Sequence, residues 1–316
     1  MLKVSSEAFF MKNSCNIQNY PQLLKPYKII AFDWDGTAVK DRKSDASSIT
    51  RKLEELLKLE IYIVIITGTN FDNINNQFAS FIKGKHKQYL YLCTNRGSEV
   101  FGFDENSNNL LLYKRIASSI ENELLDKIAE RTKFSIENIS NANIKIIYNR
   151  LNRRKIDLLP SWIDPKKSEI DKLLNETEKN LLKNGFAGGI KKAYVLLSNH
   201  ARAYGLNNAR ITTDVKHLEI GLTDKADSIV WILENIAEKN NIKDDEILVG
   251  GDEFGEIAGF EGSDSKMILS GKNGLIYFSV GIEPNGVPDK VILVGGGTGC
   301  FEKIIAKQVD IHRFSC

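Results

Sequence analysis

The chain has 316 residues, 42% of them hydrophobic, which suffices for two domains or one large one with a full apolar core. Lys and Arg total 43 against 41 Asp and Glu, a net charge of +2 that excludes a chain-wide electrostatic pull toward nucleic acid or membrane. No apolar run approaches the roughly 20 residues of a membrane helix, and Cys15, Cys93, Cys300 and Cys316 lack metal-ligand spacing, which predicts reduced thiols in a cytoplasmic protein.

In chain order, residues 1–26 read as an N-terminal extension rather than a signal peptide, because polar residues interrupt the short apolar patch. "YKIIAFDWD" is a buried strand, "ASSITRKLEELLKL" a helix opened by Ser47 or Ser48, and "EIYIVIITGTN" a second buried strand, together a βαβ unit. A helix over "FDNINNQFASFIKG", a strand over "QYLYLCTN" and a hairpin turning near Asp104 to Asn109 follow. Near-continuous apolar strands alternating with helices predict a parallel sheet covered on both faces.

Between about residues 115 and 215 the strands become short and polar-flanked, as in "ANIKIIYNR" and "RKIDLLP", and the helices longer and more charged. One helix begins at "DPKKSEIDKLL", with Asp164 as its cap, Pro165 in the first turn, and Asn184-Gly185 as its stop. An inserted α+β module is expected here. From residue 216 "KHLEIGLTDKADSIVWILENIAEKN", "DEILVGGDEFGEIAGF" and "DKVILVGGGTGCFEKIIAKQ" restore the first rhythm, so residues 27–114 and 216–316 form one domain interrupted by 115–215.

Four segment ends then converge. Asp33 and Asp35 follow the first strand, Thr67 ends the second, Lys225 opens a helix, and Asp252 follows "EILVGG". In an open parallel sheet the carboxyl ends of the strands lie on one edge, where ligands bind. Carboxylates gathered there repel one another unless a divalent cation joins them, and Mg2+ favours a few carboxylates plus phosphate and water oxygens. This set suits phosphoryl transfer. Asp33 is the candidate nucleophile, Asp35 the general acid and base, Thr67 a hydrogen-bond donor to a phosphoryl oxygen with Gly68 beside it at the substrate, and Lys225 the neutralising cation.

"DWDGT", "IITGT", "DKAD" and "GGDEFGE" together resemble the four ordered motifs of the haloacid dehalogenase-like hydrolase superfamily. The resemblance implies a Rossmann-like, doubly wound α/β core with an inserted α+β cap. It also implies a phosphoaspartate intermediate and Mg2+ held by the Asp33 carboxylate, the Asp35 main-chain carbonyl and the acid of the fourth motif. The second aspartate, Asp35, argues for a phosphatase or phosphomutase over a dehalogenase. The interval from Asp33 to Thr67 is too short for a cap, whereas that from Thr67 to Lys225 is long enough. That arrangement is similar to the class IIB members, the Cof-type, sucrose-phosphate and trehalose-phosphate phosphatases and the phosphomannomutases. Where relatives carry a second aspartate four residues after the first, this chain has Glu256 after Asp252; Asp252 is the direct metal candidate, and the longer Glu256 is either a second one that reaches the metal through water or a surface acid, with Glu253 a competitor.

In the module, Arg150, Arg153 and Arg154 cluster between two strands and are candidate contacts to an anionic or polyhydroxyl substrate, the alternative being a solvated sheet face. Trp34 either shapes the substrate mouth or packs. His200 and His217 lack ligand partners, and "GGGTG" before a helix reads as a tight turn rather than a dinucleotide loop, because Cys300 stands where glycine is needed. The expected activity is Mg2+-dependent hydrolysis of a small phosphorylated metabolite such as a sugar phosphate, with no nucleic-acid or membrane partner. A phosphomutase is the runner-up, and a non-catalytic ligand- or nucleic-acid-binding protein is the rival from another class.

Overall fold

The computed structural model describes residues 15–163, 169–257, 259–281 and 286–315. The chain divides into two compact units: the first takes residues up to Lys114, Lys225–Glu256 and the chain from Glu261 on, and the second Arg115–Asp224 and Ile257–Phe260. The boundary expected near residue 216 therefore falls between Asp224 and Lys225.

In the first unit, strands β1 (Ile29–Asp33), β2 (Tyr62–Ile66), β3 (Leu90–Thr94), β4 (Glu99–Phe103), β5 (Asn109–Lys114), β10 (Ile247–Gly251), β13 (Ile276–Ser279) and β14 (Val291–Leu293) form one sheet in the order β14-β13-β10-β1-β2-β3-β4-β5. Pairing is parallel from β14 to β3, and the β4–β5 hairpin adds an antiparallel edge. Strand periodicity explains the continuous apolar runs. Ile30, Phe32, Ile63, Ile65, Leu248 and Phe278 pack on one face, and Ile29, Ala31, Val64, Ile66, Val249 and Tyr277 on the other, so both faces are buried.

Helices cover each face. On the first face lie α1 (Ser47–Lys58), whose buried Ile49, Leu53, Leu56 and Leu57 share one stripe, and α7 (Gly297–Ser315) through Phe301, Ile304 and Ile305. The short α2 (Phe71–Gln77) follows β2, with Asn70 accepting from the N–H of Asn73 as its cap. On the second face α6 (Lys225–Ile232) buries Ile229 and Ile232 and runs into a single π-helical turn over Leu233–Ala237. The doubly wound α/β core expected from the sequence is present.

The described part of the N-terminal extension is held against the final helix. Leu23 and Tyr27 are fully buried, and the Gln308 amide donates to the carbonyls of Leu23 and Lys25 at 3.0 and 2.9 Å. Cys15 and Cys300 form a disulfide, which corrects the expectation of reduced thiols for these two; Cys93 is a free, buried thiol whose pKa burial pushes up to about 12. The "GGGTG" segment is indeed a tight turn: Gly295, Gly296 and Gly297 all have positive φ, and a β-carbon on Gly296 would sit 3.0 and 3.3 Å from the β-carbons of Cys300 and Cys15.

The second unit is an α+β layer. Strands β6 (Lys145–Arg150), β7 (Arg153–Asp157), β8 (Arg210–Thr213) and β9 (His217–Gly221) form an antiparallel sheet in the order β6-β7-β9-β8. Strand β9, expected to return into the core domain, pairs with β7 and β8 and belongs here. Helices α3 (Ser119–Glu137), α4 (Ile170–Lys183) and α5 (Gly189–Ala203) bury Leu125, Ile128, Leu181, Ala193 and Leu197 against Ile156, Leu218 and Ile220 of the sheet. A capping box between Ser118 and Glu121 opens α3. The expected cap residues of the next helix, Asp164 and Pro165, lie outside the described residues. No helix among the described residues is long and apolar enough to cross a membrane.

Candidate active site

Parallel register explains how the motifs meet. Asp33, the last residue of β1, stands opposite Ile66 of β2, so Thr67 follows at the same level; Phe32 stands opposite Gly250, which brings Asp252 to the same edge. Gly36, at φ 95, then turns the chain, with its N–H donating to the Val39 carbonyl at 2.6 Å.

Carboxylate oxygens of Asp33, Asp252 and Asp264 lie within 4.8 Å of one another. Lys225 Nζ donates to Asp33 Oδ1 at 2.7 Å and to Asp264 Oδ1 at 2.5 Å. Burial alone would lower the Lys225 pKa, but the carboxylates of Asp264 and Asp33 outweigh it and hold the ammonium above the usual lysine value. The other oxygen of Asp264 accepts from the N–H groups of Asp252 and Glu253 at 2.9 and 2.8 Å, and Thr37 Oγ1 donates to Asp252 Oδ1 at 2.9 Å. Gly251 makes room for this arrangement, since a β-carbon there would lie 2.4 Å from Asp264 Oδ2. With both Asp264 oxygens taken by Lys225 and by N–H groups, the Asp33 and Asp252 carboxylates beside them are hard oxygen donors that fit Mg2+.

Asp264 is absent from the set expected from sequence, and Glu256 does not take its place. After Asp252 the chain makes a small hairpin, β11 (Glu256–Ile257) with β12 (Phe260–Glu261), and Glu256 is exposed on it, outside the carboxylate group. The second acid instead arrives 12 residues after Asp252. The signal was the "GSD" triplet after "EIAGFE", which becomes readable only once the hairpin is recognised as an insertion. Glu253 accepts from Ser263 Oγ at 2.8 Å and also lies outside the group.

Around this cluster, Arg42 Nε approaches Asp35 Oδ2 at 3.6 Å. Trp34 is fully buried, packs on Phe78 and donates to Gln77 Oε1 at 2.9 Å, so it is a core residue. Thr67 is buried, its hydroxyl accepting from the N–H of Thr69 at 3.2 Å, and Gly68 is exposed beside it.

The arginines of the second unit correct another expectation. Arg153 is buried, with Nη1 donating to Glu219 Oε2 at 3.3 Å and Nη2 to the Thr223 carbonyl at 3.0 Å. Arg154 is buried against Asp126 and donates to Asn122 Oδ1 at 3.3 Å. Both guanidinium groups brace elements of their own unit, whereas Arg150 at the end of β6 is exposed. His200 meets Thr132 at 2.9 Å and His217 meets Asp214 at 2.9 Å, structural roles in each case.

Residues 30–264 match the family model for haloacid dehalogenase-like hydrolases. No curated protein matches the sequence. Among solved structures, the IMP-bound, N-terminally truncated IMP-nucleotidase of Plasmodium falciparum aligns over 98% of this chain and 80% of its own, at a TM-score of 0.60 and 11% identity. The trehalose-6-phosphate phosphatase of Aspergillus fumigatus aligns over 93% of this chain and 96% of its own, at a TM-score of 0.51 and 13% identity. At such identities the likeness is one of fold.

Proposed function

The chain belongs to the haloacid dehalogenase-like hydrolases, and from that premise we propose that it is a Mg2+-dependent phosphatase of a small phosphorylated metabolite, a sugar phosphate either free or within a nucleotide. One observation carries the reading. A buried lysine joins Asp33 to Asp264, with Asp252 in the same carboxylate group, at the edge where the parallel strands end.

In the reaction, an Asp33 carboxylate oxygen forms a bond to phosphorus while the ester P–O bond breaks, and Asp35 gives its proton to the departing oxygen. Asp35 then takes a proton from water, which attacks the phosphoaspartate, releasing inorganic phosphate and restoring Asp33. The Lys225 ammonium, bonded to Asp33, offsets negative charge as that carboxylate meets the phosphate. The Thr67 hydroxyl and the exposed backbone at Gly68 bind phosphoryl oxygens. Asp33 and Asp252 would hold Mg2+, with the Asp35 main-chain carbonyl as the family resemblance implies, and Asp264 orients the set from behind. The ion supplies positive charge that lets carboxylates and phosphate share one site.

The test is release of phosphate from a panel of sugar phosphates and nucleoside monophosphates, with Mg2+ and with chelator. Hydrolysis that needs Mg2+ and is almost completely lost in Asp33→Asn is expected. Full turnover by folded Asp33→Asn would sink the mechanism.

A further inference from the structure

We infer that Arg96 is a further substrate-binding residue that grips the phosphoryl group from the core, an inference that rests on the phosphatase reading. Charge balance raises the need. Asp33, Asp35, Asp252 and Asp264 bring four carboxylates, and Lys225 is already bonded to two of them. With Asp35 carrying the proton it delivers, Lys225 and a divalent ion balance the other three, and an incoming phosphomonoester still brings a dianion. A fixed cation close to the phosphoryl group would offset that added charge.

Arg96 is a cation on the turn that adjoins the loop assigned to phosphoryl binding. It follows β3 in the turn Asn95–Gly97, at the same sheet edge as Thr67. The turn is bonded directly onto the Thr67 loop: the Arg96 N–H donates to the Thr67 carbonyl at 3.0 Å and the Asn95 N–H to the Thr69 carbonyl at 2.8 Å. The Arg96 side chain lies along exposed Gly68, with Nε and Cγ 3.5 and 3.6 Å from the position a β-carbon on Gly68 would take. The guanidinium stem thus borders the loop assigned to phosphoryl binding. Arg42, on an exposed loop, faces Asp35.

The backbone adds a second observation. Asn95 and Arg96 both adopt left-handed conformations, at φ 49 and 53, ahead of Gly97 at φ 82. Glycine would take this shape at Arg96 without strain, so the turn holds a long cationic side chain where the backbone favours none. The scaffold holds the turn in this form: Asn95 Nδ2 donates to Glu99 Oε2 at 2.6 Å, and Glu99 pairs with Lys114 at 2.9 Å.

Arg96→Gly suits the left-handed backbone and removes the guanidinium; Arg96→Lys keeps a charge and loses the fork. Affinity for inorganic phosphate in the presence of Mg2+ is measured by calorimetry, together with the melting temperature and kcat/KM on p-nitrophenyl phosphate and on a sugar phosphate. Arg96→Gly is expected to weaken phosphate binding by at least about tenfold, to lower kcat/KM alike for both esters, and to melt no lower than the parent. Arg96→Lys should recover part of the loss. If Arg96→Gly binds phosphate within about twofold of the parent, the arginine only packs the turn and the inference is overturned. Should Arg96→Gly fail to fold, folded Arg96→Asn, which tolerates the left-handed backbone and carries no charge, decides: unchanged phosphate affinity overturns the inference and weakened affinity supports it. If no ester is hydrolysed by the parent while phosphate binding still depends on Arg96, the phosphatase reading fails and this one stands.

Discussion

Asp264 organises more of the candidate site than its short side chain suggests. One oxygen neutralises Lys225, and the other holds the two N–H groups that follow β10, so it orients both the lysine and Asp252. Asn in its place would remove the charge opposite Lys225 and turn an amide N–H2 toward existing donors. Asp264→Asn is therefore expected to cost about 3 kcal/mol or more of stability, as breaking a buried pair does, and to reduce kcat/KM by at least about tenfold. Glu256→Gln, on an exposed strand, should stay within about 0.5 kcal/mol of the parent and keep its activity. Urea unfolding and steady-state rates of the two variants decide the matter. Equal losses would return Glu256 to the metal site.

Among the elements, the strands were the most legible, because burial on both faces writes itself as "KIIAFD" or "YIVII", and helix α1 follows from its apolar stripe. The N-terminal segment was not, since its partners are distant in sequence. A disulfide spanning 285 residues joins it to α7, and such a cross-link restricts the unfolded chain strongly. Cys15→Ser should lower stability by about 2–4 kcal/mol and make the peptide bonds around Leu23 and Lys25 sensitive to protease. Limited proteolysis with and without reductant reads this out. Identical digestion of parent and variant would show that the packing of Leu23 and Tyr27 and the Gln308 bonds hold the segment unaided.

The whole molecule carries a separate hydrophobic core in each unit. Damage to one core should therefore stay largely within its unit. Leu197, fully buried in the second unit, leaves a cavity when truncated, and Leu197→Ala is expected to cost about 2–5 kcal/mol. Hydrogen exchange should show faster amides in α3, α5, β7 and β9, with β1, β2 and β10 protected as in the parent. Uniform acceleration across both units would mean that they unfold as one.

By itself the sequence determined the doubly wound core, the interrupted chain, and the order in which Asp33, Thr67, Lys225 and Asp252 reach one sheet edge, because strand periodicity and parallel register are local rules. The tertiary structure decided the rest. That β9 belongs to the second unit depends on which strands it pairs with, not on its own residues. That Asp264 rather than Glu256 joins the carboxylates depends on a hairpin that lengthens the spacing, and that Arg153 and Arg154 brace their own unit depends on Glu219, Thr223, Asp126 and Asn122 lying opposite them. A side chain's type is written in the sequence, but its partner is set by chain segments far away, and burial then fixes whether its charge is neutralised inside the protein or presented to a ligand.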